Sequence, residues 1–187
     1  MGLKKVLLRF IFIWTHLIYG RPLNLLFKHW SNSYGKVIWR IFGSVYVGAG
    51  TEIYGGFIGN LISQGKPSII VVEAGGKLRI EDNVKASSIS IYVIDSLDIG
   101  KNAMFGSGVS IWDNDFHSMN IIDRIHGDDK AKSSPICIGD NVFIGANCVI
   151  LKGVAIGEGA IIGANSVVTK SVGIKEIWAG NPARKIR

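Results

Sequence analysis

Residues 138–173 repeat with a period of six, and this periodicity constrains the fold more than any other feature of the chain. A small or β-branched residue stands four positions after each aliphatic lead residue of the repeat. The lead residues are Ile138, Ile144, Ile150, Ile156, Ile162 and Val168. Helices repeat about every 3.6 residues and half-buried strands about every 2, so neither explains this spacing. A strict period of six predicts a parallel β-helix, in which aliphatic residues stack from one coil to the next.

Weaker hexads carry the pattern back to Val47, with interruptions around residues 59–68 and again before Ile80. Evenly spaced hairpins are the alternative, but they need tight-turn pairs such as Asn-Gly between strands, and no such pair recurs. The interval from Ile111 to Ile138 is not a multiple of six, so we expect residues 113–134 to leave the helix as a loop. Long loops in compact domains are usually functional.

The composition excludes a disordered chain and favours a reducing environment. Of the 187 residues, 48% are hydrophobic and 19% are charged, which provides enough apolar surface for a packed core. The two cysteines, Cys137 and Cys148, both fall inside the repeat. We expect two buried free thiols rather than a disulfide or a metal pair, as in a cytoplasmic protein.

The N-terminal segment, residues 1–44, differs from the rest of the chain. No acidic residue precedes Glu52, and the basic residues before it account for the whole net charge of +7. Residues 6–19 are mostly apolar but are too few to span a bilayer as a helix. We expect a helical segment that lies in a membrane interface or caps the open end of the β-helix. A signal peptide would need a small-residue cleavage site, and none follows.

The C-terminal third carries two long motifs, IGDNVFIGANCVILKGVAIGEGAIIGANSVVTKSV and then AGNPARKIR. These motifs resemble the hexapeptide-repeat acyltransferases, and the loop resembles that of the polysaccharide and capsule O-acetyltransferases within this family. The resemblance implies a mainly β fold over residues 45–187, a left-handed parallel β-helix shaped as a triangular prism. It also implies a homotrimer, because the active sites of the family lie between neighbouring prisms.

A histidine stands near the start of the loop, in the stretch WDNDFHS of residues 112–118. By resemblance, His117 is the general base that removes the proton from the acceptor, a task for which imidazole in general suits neutral pH. Asp113 and Asp115 are candidates to fix its tautomer through a hydrogen bond to the other ring nitrogen. His126 is a second candidate for the base.

The same resemblance implies acetyl-CoA as the acyl donor, lying in the groove between neighbouring prisms. The matching residues are Phe143, Ala146 and Ala164 for the pantetheine arm, and Thr169, Lys170, Arg184 and Arg187 for the region around the nucleotide phosphates. Cations suit these phosphates because coenzyme A carries several negative charges. The γ-class carbonic anhydrases share the prism, but they need three histidines around zinc, and the coils lack such a set, so no metal is expected.

These features predict an enzyme that moves an acetyl group from acetyl-CoA to a hydroxyl of a cell-surface polysaccharide or lipid-linked sugar. We expect it in the cytoplasm, with peripheral contact to the inner face of the membrane as a further expectation, and no nucleic-acid partner because no reader motif is present. N-acetyl transfer to an amino sugar and O-acetylation of an antibiotic stay open as alternatives. A β-helix scaffold without activity is the alternative from a different class, and loss of acetyl-CoA binding would support it.

Overall fold

The computed structural model describes residues 33–126 and 131–187, where nineteen short strands wind through three sheets in turn. The first sheet contains, in spatial order, β1 (Ser33–Gly35), β4 (Glu52–Gly55), β7 (Lys85–Ser87), β10 (Met104–Phe105), β13 (Phe143–Ile144), β16 (Ile161–Ile162), β18 (Ile177–Gly180) and β19 (Ala183–Lys185). The second contains β2 (Val37–Ile41), β5 (Ser68–Val72), β8 (Ser90–Val93), β11 (Ser110–Trp112), β14 (Val149–Leu151) and β17 (Val167–Val168). The third contains β3 (Ser44–Val47), β6 (Lys77–Ile80), β9 (Ser96–Ile99), β12 (Ile136–Ile138) and β15 (Ala155–Ile156).

The strand register follows the hexads. Ile138 pairs with Ile156 in a parallel ladder, and this pair is three hexads apart in sequence. The next lead residues pair in the same way, Ile144 with Ile162 and Ile150 with Val168. One coil therefore uses three hexads and places one aliphatic residue on the inner side of each sheet, where these side chains are almost fully buried. The predicted β-helix with mainly β content is confirmed.

Asparagines form many of the corners between the sheets. Asn102, Asn141, Asn147 and Asn165 all have positive φ, at 56°, 58°, 57° and 58°. Asparagine enters the left-handed region more easily than most residues because its short polar side chain can bond locally. The amide of Asn102 also donates to Oδ1 of Asn141 at 3.0 Å, so the corner side chains link successive coils.

The β-helix is already formed at Ser33, the first described residue, which precedes the predicted boundary at residue 45. β1 and β2 occupy part of the segment that we expected to be helical. Trp39 is buried and its Nε1 donates to Oγ of Ser33 at 3.1 Å, while Tyr34 stacks on Tyr54 with ring centroids 4.9 Å apart. Trp39 and Ser33 occupy the inward positions that Ile70 and Ile53 occupy in the next coil, and this substitution hides the hexads. The predicted interfacial or capping helix would fall on residues 1–32, which lie outside the described residues.

Two segments leave the prism. The first, residues 56–66, connects β4 to β5 and contains a short helix, α1 (Gly56–Gly59), and a 3-10 turn (Leu61–Ser63). It folds back over β1, where a Cβ added to Gly59 would lie 2.6 Å from the carbonyl oxygen of Tyr34. The second connects β11 to β12, where the sequence places the loop, and contains α2 (Ile121–His126).

An antiparallel hairpin of β18 and β19 closes the C-terminal end of the prism. The Glu176 carboxylate accepts hydrogen bonds from Lys185 Nζ at 2.6 Å, Trp178 Nε1 at 2.8 Å and the Gly173 amide at 2.8 Å. These donors, Lys185 first, lower the pKa of Glu176 from 4.5 to about 2. The backbone of Arg187 also pairs with Ile177, so the last residue is part of the hairpin.

Candidate active site

The loop leaves the prism at Asp113, a carboxylate that is almost fully buried. It accepts hydrogen bonds from the backbone amides of Ile94 at 2.9 Å and Asp95 at 2.7 Å, and from Nδ2 of Asn114 at 3.1 Å. Carboxylates that accept backbone N–H bonds are among the stronger polar anchors in proteins. Asp113 therefore fastens the base of the loop to the coil before it.

A tight turn presents His117 to solvent. Phe116 has a φ of 61°, and the His117 amide donates to the carbonyl of Asp115 at 2.7 Å across it. Positive φ strains a bulky residue, so the surroundings must hold the turn. Phe116 meets Tyr92 and Trp112 edge to face, with ring centroids 5.0 and 5.5 Å away, and such aromatic pairs contribute about 0.5–1.5 kcal/mol beyond burial.

The second aspartate of the loop, Asp115, pairs with the ammonium group of Lys152, which follows β14. The hydrogen bonds of Asp113 and Asp115 thus go to backbone amides, Asn114 and Lys152. Within the described residues, neither carboxylate forms the expected hydrogen bond to the imidazole of His117, and each has a partner on a neighbouring coil instead. Both aspartates instead hold the strand-to-loop junction that carries the histidine.

After the turn, the loop continues into the short helix α2. Asn120 caps α2 by accepting from the Ile122 amide at 3.0 Å, and Ser118 Oγ donates to Asp123 at 2.8 Å. His126, the second candidate for the base, is the last residue of α2 and is exposed. It follows His117 by nine residues and lies at the far end of α2.

Most of the residues predicted to bind coenzyme A lie along one edge of the prism, between the first and second sheets. Ala146 and Ala164 follow β13 and β16 at this edge, and Gly145 packs against the backbone of Ala164 so closely that a Cβ would lie 2.5 Å from its nitrogen. Within residues 33–126 and 131–187, the amides of Ala146 and Ala164 donate to no protein acceptor. Amide N–H groups without a protein acceptor suit the amide carbonyls of an extended ligand.

The same edge continues to the C-terminal hairpin. Gly163 packs against Ala179, and Ala179 is the register partner of Arg184 in the hairpin. Phe143 stands on the first sheet beside this edge and is 45% exposed. The structure therefore places Phe143, the two alanines, Arg184 and Arg187 in one column, formed by the first sheet and its edge with the second sheet.

The other predicted residues lie on a different edge. Thr169 and Lys170 follow β17 between the second and third sheets, as Lys152 follows β14 one coil earlier. The loop with His117 leaves from this same edge, after β11. Within one chain, His117 and Lys170 therefore lie on a different edge of the prism from the column that contains Phe143, Ala146 and Ala164.

A groove of about 330 Å³ lies on the outer face of the first sheet, and the sequence does not predict it. The inserted segment forms one wall with Asn60, whose Nδ2 donates to Oγ of Ser87 at 2.9 Å. Phe143 and Met104 form the floor, and Tyr54 and Lys85 also line it. We call this the Asn60 groove. No sequence signal marks it, since Asn60 belongs to the stretch where the hexads are interrupted.

Burial and the carboxylate of Glu52 raise the pKa of the Tyr54 phenol far above its ordinary value. Its hydroxyl donates to Glu52 at 2.8 Å. Tyr54 therefore stays neutral in the wall of the Asn60 groove at physiological pH.

Both cysteines are free, but Cys137 is exposed, contrary to expectation, because it occupies the outward position beside the lead residue Ile138 in β12. Among residues 33–126 and 131–187, no group of three His, Cys, Asp or Glu side chains is arranged to hold a metal ion. In the same described ranges no helix is both long enough and apolar enough to cross a bilayer.

Residues 135–170 match the sequence model of a family described as the hexapeptide repeat of succinyl-transferase. The chain is also 41% identical, over 117 residues and 62% of its length, to a Dictyostelium discoideum protein provisionally named an acetyltransferase. The match covers 60% of that protein, so the chain spans about three fifths of the length of this curated relative.

Several solved structures share the fold. AntD, an N-acyltransferase from Bacillus cereus in complex with dTDP and 3-hydroxybutyryl-CoA, has a TM-score of 0.65 at 22% identity, covering 83% of this chain and 78% of its own. A hexapeptide-repeat acetyltransferase from Vibrio cholerae in complex with acetyl-CoA has a TM-score of 0.55 at 24% identity, covering 81% and 69%. A maltose O-acetyltransferase from Clostridium difficile has a TM-score of 0.52 at 25% identity, covering 80% and 70%. These likenesses confirm that the β-helix is left-handed.

Proposed function

We infer that this chain is a hexapeptide-repeat acetyltransferase, and we propose that it moves an acetyl group from acetyl-CoA to a sugar hydroxyl, with His117 as general base. The matched repeat, the name of the Dictyostelium relative and the coenzyme A complexes among the solved neighbours support the family and the donor. The acceptor in this proposal is a cell-surface polysaccharide or a lipid-linked sugar.

The presentation of His117 carries the proposal. The turn at Phe116 holds an exposed histidine at a fixed place beside the prism. The rings of Tyr92 and Trp112 each pack against Phe116 and support that turn. A general base must lie within hydrogen-bond reach of the acceptor hydroxyl, and a turn held by packed aromatic rings gives that reach with little motion. Asp113 and Asp115 act as positioning residues for this turn.

The column at the first edge supports acetyl-CoA as donor. The free amides of Ala146 and Ala164 can donate to the pantetheine carbonyls, while Arg184 and Arg187 at the end of the column supply charge for the phosphates. Lys170 and Thr169 lie on the other edge together with His117. The site is complete when two prisms stand side by side, which supports a homotrimer with its active sites between subunits.

The proposed reaction is direct transfer. His117 accepts the proton of the acceptor hydroxyl as its oxygen attacks the thioester carbonyl carbon. The tetrahedral intermediate then breaks the carbon–sulfur bond, and the imidazolium returns the proton to the leaving thiolate. A backbone N–H at the prism edge is the proposed donor to the oxyanion.

The test is thiol release from acetyl-CoA with purified protein, His117→Ala and His126→Ala. The acceptor panel contains glucosides, galactosides, uronic acids and amino sugars. We expect acceptor-dependent release that falls at least about 100-fold in His117→Ala and stays unchanged in His126→Ala. Release unaffected by His117→Ala removes the base, and an amino sugar as the sole active acceptor reassigns the enzyme to N-transfer. No release together with no acetyl-CoA binding identifies a scaffold.

A further inference from the structure

The Asn60 groove lies at one end of the column that we propose binds coenzyme A, because Phe143 belongs to both. Met104 in its floor pairs in register with Phe143, and Phe143 pairs with Ile161 on the next coil towards the C-terminal hairpin. The basic residues Arg184 and Arg187 lie at the opposite end of the same sheet. A coenzyme A whose phosphates bind the basic end therefore has its thioester at the groove.

The lining of the groove combines an apolar floor with polar walls. Met104 and Phe143 are 49% and 45% exposed and lie side by side on adjacent strands, so together they form an apolar patch. Asn60, Ser87 and Lys85 place hydrogen-bonding groups around this floor. A pyranose has an apolar C–H face and a rim of hydroxyls, so its two kinds of surface match the two parts of the groove.

The hydrogen bond between Asn60 and Ser87 orients both groups. Asn60 uses Oδ1 to accept from the Ile62 amide at 3.0 Å and uses Nδ2 to donate to Ser87 Oγ. Ser87 thus already accepts one bond, and within the described residues its own hydroxyl proton has no acceptor. Its O–H is left to donate into the groove, and Asn60 keeps a second N–H.

We propose that the Asn60 groove is the acceptor subsite, in which Asn60 and Ser87 bind hydroxyls of a pyranose while its ring lies on Met104 and Phe143. This inference rests on the proposed function, since it assumes an acetyl group delivered at Phe143. The inserted segment 56–66 is then an element of acceptor specificity, because it supplies Asn60 from outside the regular coils.

Steady-state kinetics test whether Asn60 and Ser87 bind the acceptor. Asn60→Asp keeps an oxygen to cap the 3-10 turn but removes the N–H donor, and Ser87→Ala removes the hydroxyl without touching that cap. We expect each to raise the acceptor KM about 5–10-fold, the value for one lost hydrogen bond, while the acetyl-CoA KM changes less than about 2-fold. Ser96→Ala, a half-buried serine of β9 on the third sheet, is the matched control and should change neither.

A binding measurement separates this inference from the proposed activity. The chain has three methionines, so selective 13C-methyl labelling gives three signals, with Met104 assigned by Met104→Leu. Titration with each sugar of the panel in the presence of coenzyme A should shift the Met104 signal, and Ser87→Ala should weaken that shift. Thiol release with no Met104 shift for any sugar, or with unchanged KM in both variants, overturns the groove and leaves the transferase intact. A Met104 shift without thiol release keeps the groove as a sugar site and overturns the transferase.

Discussion

Lys152 forms an ion pair with Asp115 although 37 residues separate them in sequence. Lys152 follows β14, whereas Asp115 precedes the turn at Phe116 that presents His117. The two side chains are 28% and 23% exposed, so the pair is partly shielded from solvent. The ion pair links the start of the loop to the next coil of the β-helix.

The first prediction concerns this pair. Lys152→Met should lower kcat about 3–5-fold and leave the acetyl-CoA KM unchanged, because an ion pair of this kind contributes at most about 1 kcal/mol and acts here through the position of His117. Lys152→Arg should restore most of the rate. Steady-state kinetics on both variants check this, with Lys101→Met at an exposed corner as control. Equal losses in the Met and Arg variants would contradict a positioning role.

The second prediction concerns the anchor of the loop. Asp113→Ala leaves the amides of Ile94 and Asp95 without their buried acceptor, so we expect the free energy of unfolding to fall by about 1–3 kcal/mol. Urea denaturation followed by circular dichroism measures the loss. Asp98→Ala, an exposed aspartate of β9, should change stability by less than about 0.5 kcal/mol. A loss in Asp113→Ala no larger than in this control would show that the anchor is unimportant.

The sequence predicts the coils where their length is regular and fails where residues are inserted. Between Ile138 and Val168 the register partners are three hexads apart, so the lead residues identify the inward position of each strand. Earlier coils are longer, for example between Ile91 and its partner Ile111. Each extra residue at a corner shifts the phase of the six-residue repeat. The first coil has no recognisable hexads because Trp39 and Ser33 occupy two inward positions in place of aliphatic residues.

The place of the loop could be predicted for a related reason. His117 follows a hexad directly, so its position where the chain leaves the prism was predictable from the sequence. The bond between Asn60 and Ser87 joins residues 27 apart across an insertion, and no periodicity relates them. The hydrogen-bond partners of Asp113 could not be predicted either, because they are backbone amides, which every residue except proline has.

The third prediction concerns pH. The folded-state pKa of Glu176, about 2, lies below its ordinary 4.5, so its ionised form stabilises the C-terminal hairpin above about pH 4.5, and this contribution is lost as pH falls towards 2. Glu176→Gln should therefore melt at a lower temperature than the parent protein at pH 6, and the two should converge near pH 2. Differential scanning fluorimetry measures both. Glu158→Gln, an exposed glutamate, is the control, and a gap that persists undiminished at pH 2 would exclude this carboxylate as the cause.

The fourth prediction separates the two thiols. Burial raises the pKa of the Cys148 thiol, and its sulfur lies 3.0 Å from the carbonyl oxygen of Gly163 inside the prism, so it should resist alkylation in the native state. Cys137 projects outward from β12 and should react. A colorimetric thiol assay at pH 8 should therefore count one thiol in the native protein and two in urea, and Cys137→Ala should remove the native one.

The same variant bears on the mechanism. Direct transfer needs no acyl-enzyme, so Cys137→Ala should keep full acceptor-dependent activity even though Cys137 follows the loop that carries His117. Alkylation of the parent protein gives an independent comparison, because it adds bulk at the same position without changing the rest of the chain. Loss of activity in Cys137→Ala itself would point to a covalent intermediate on this thiol and would replace His117-assisted direct attack.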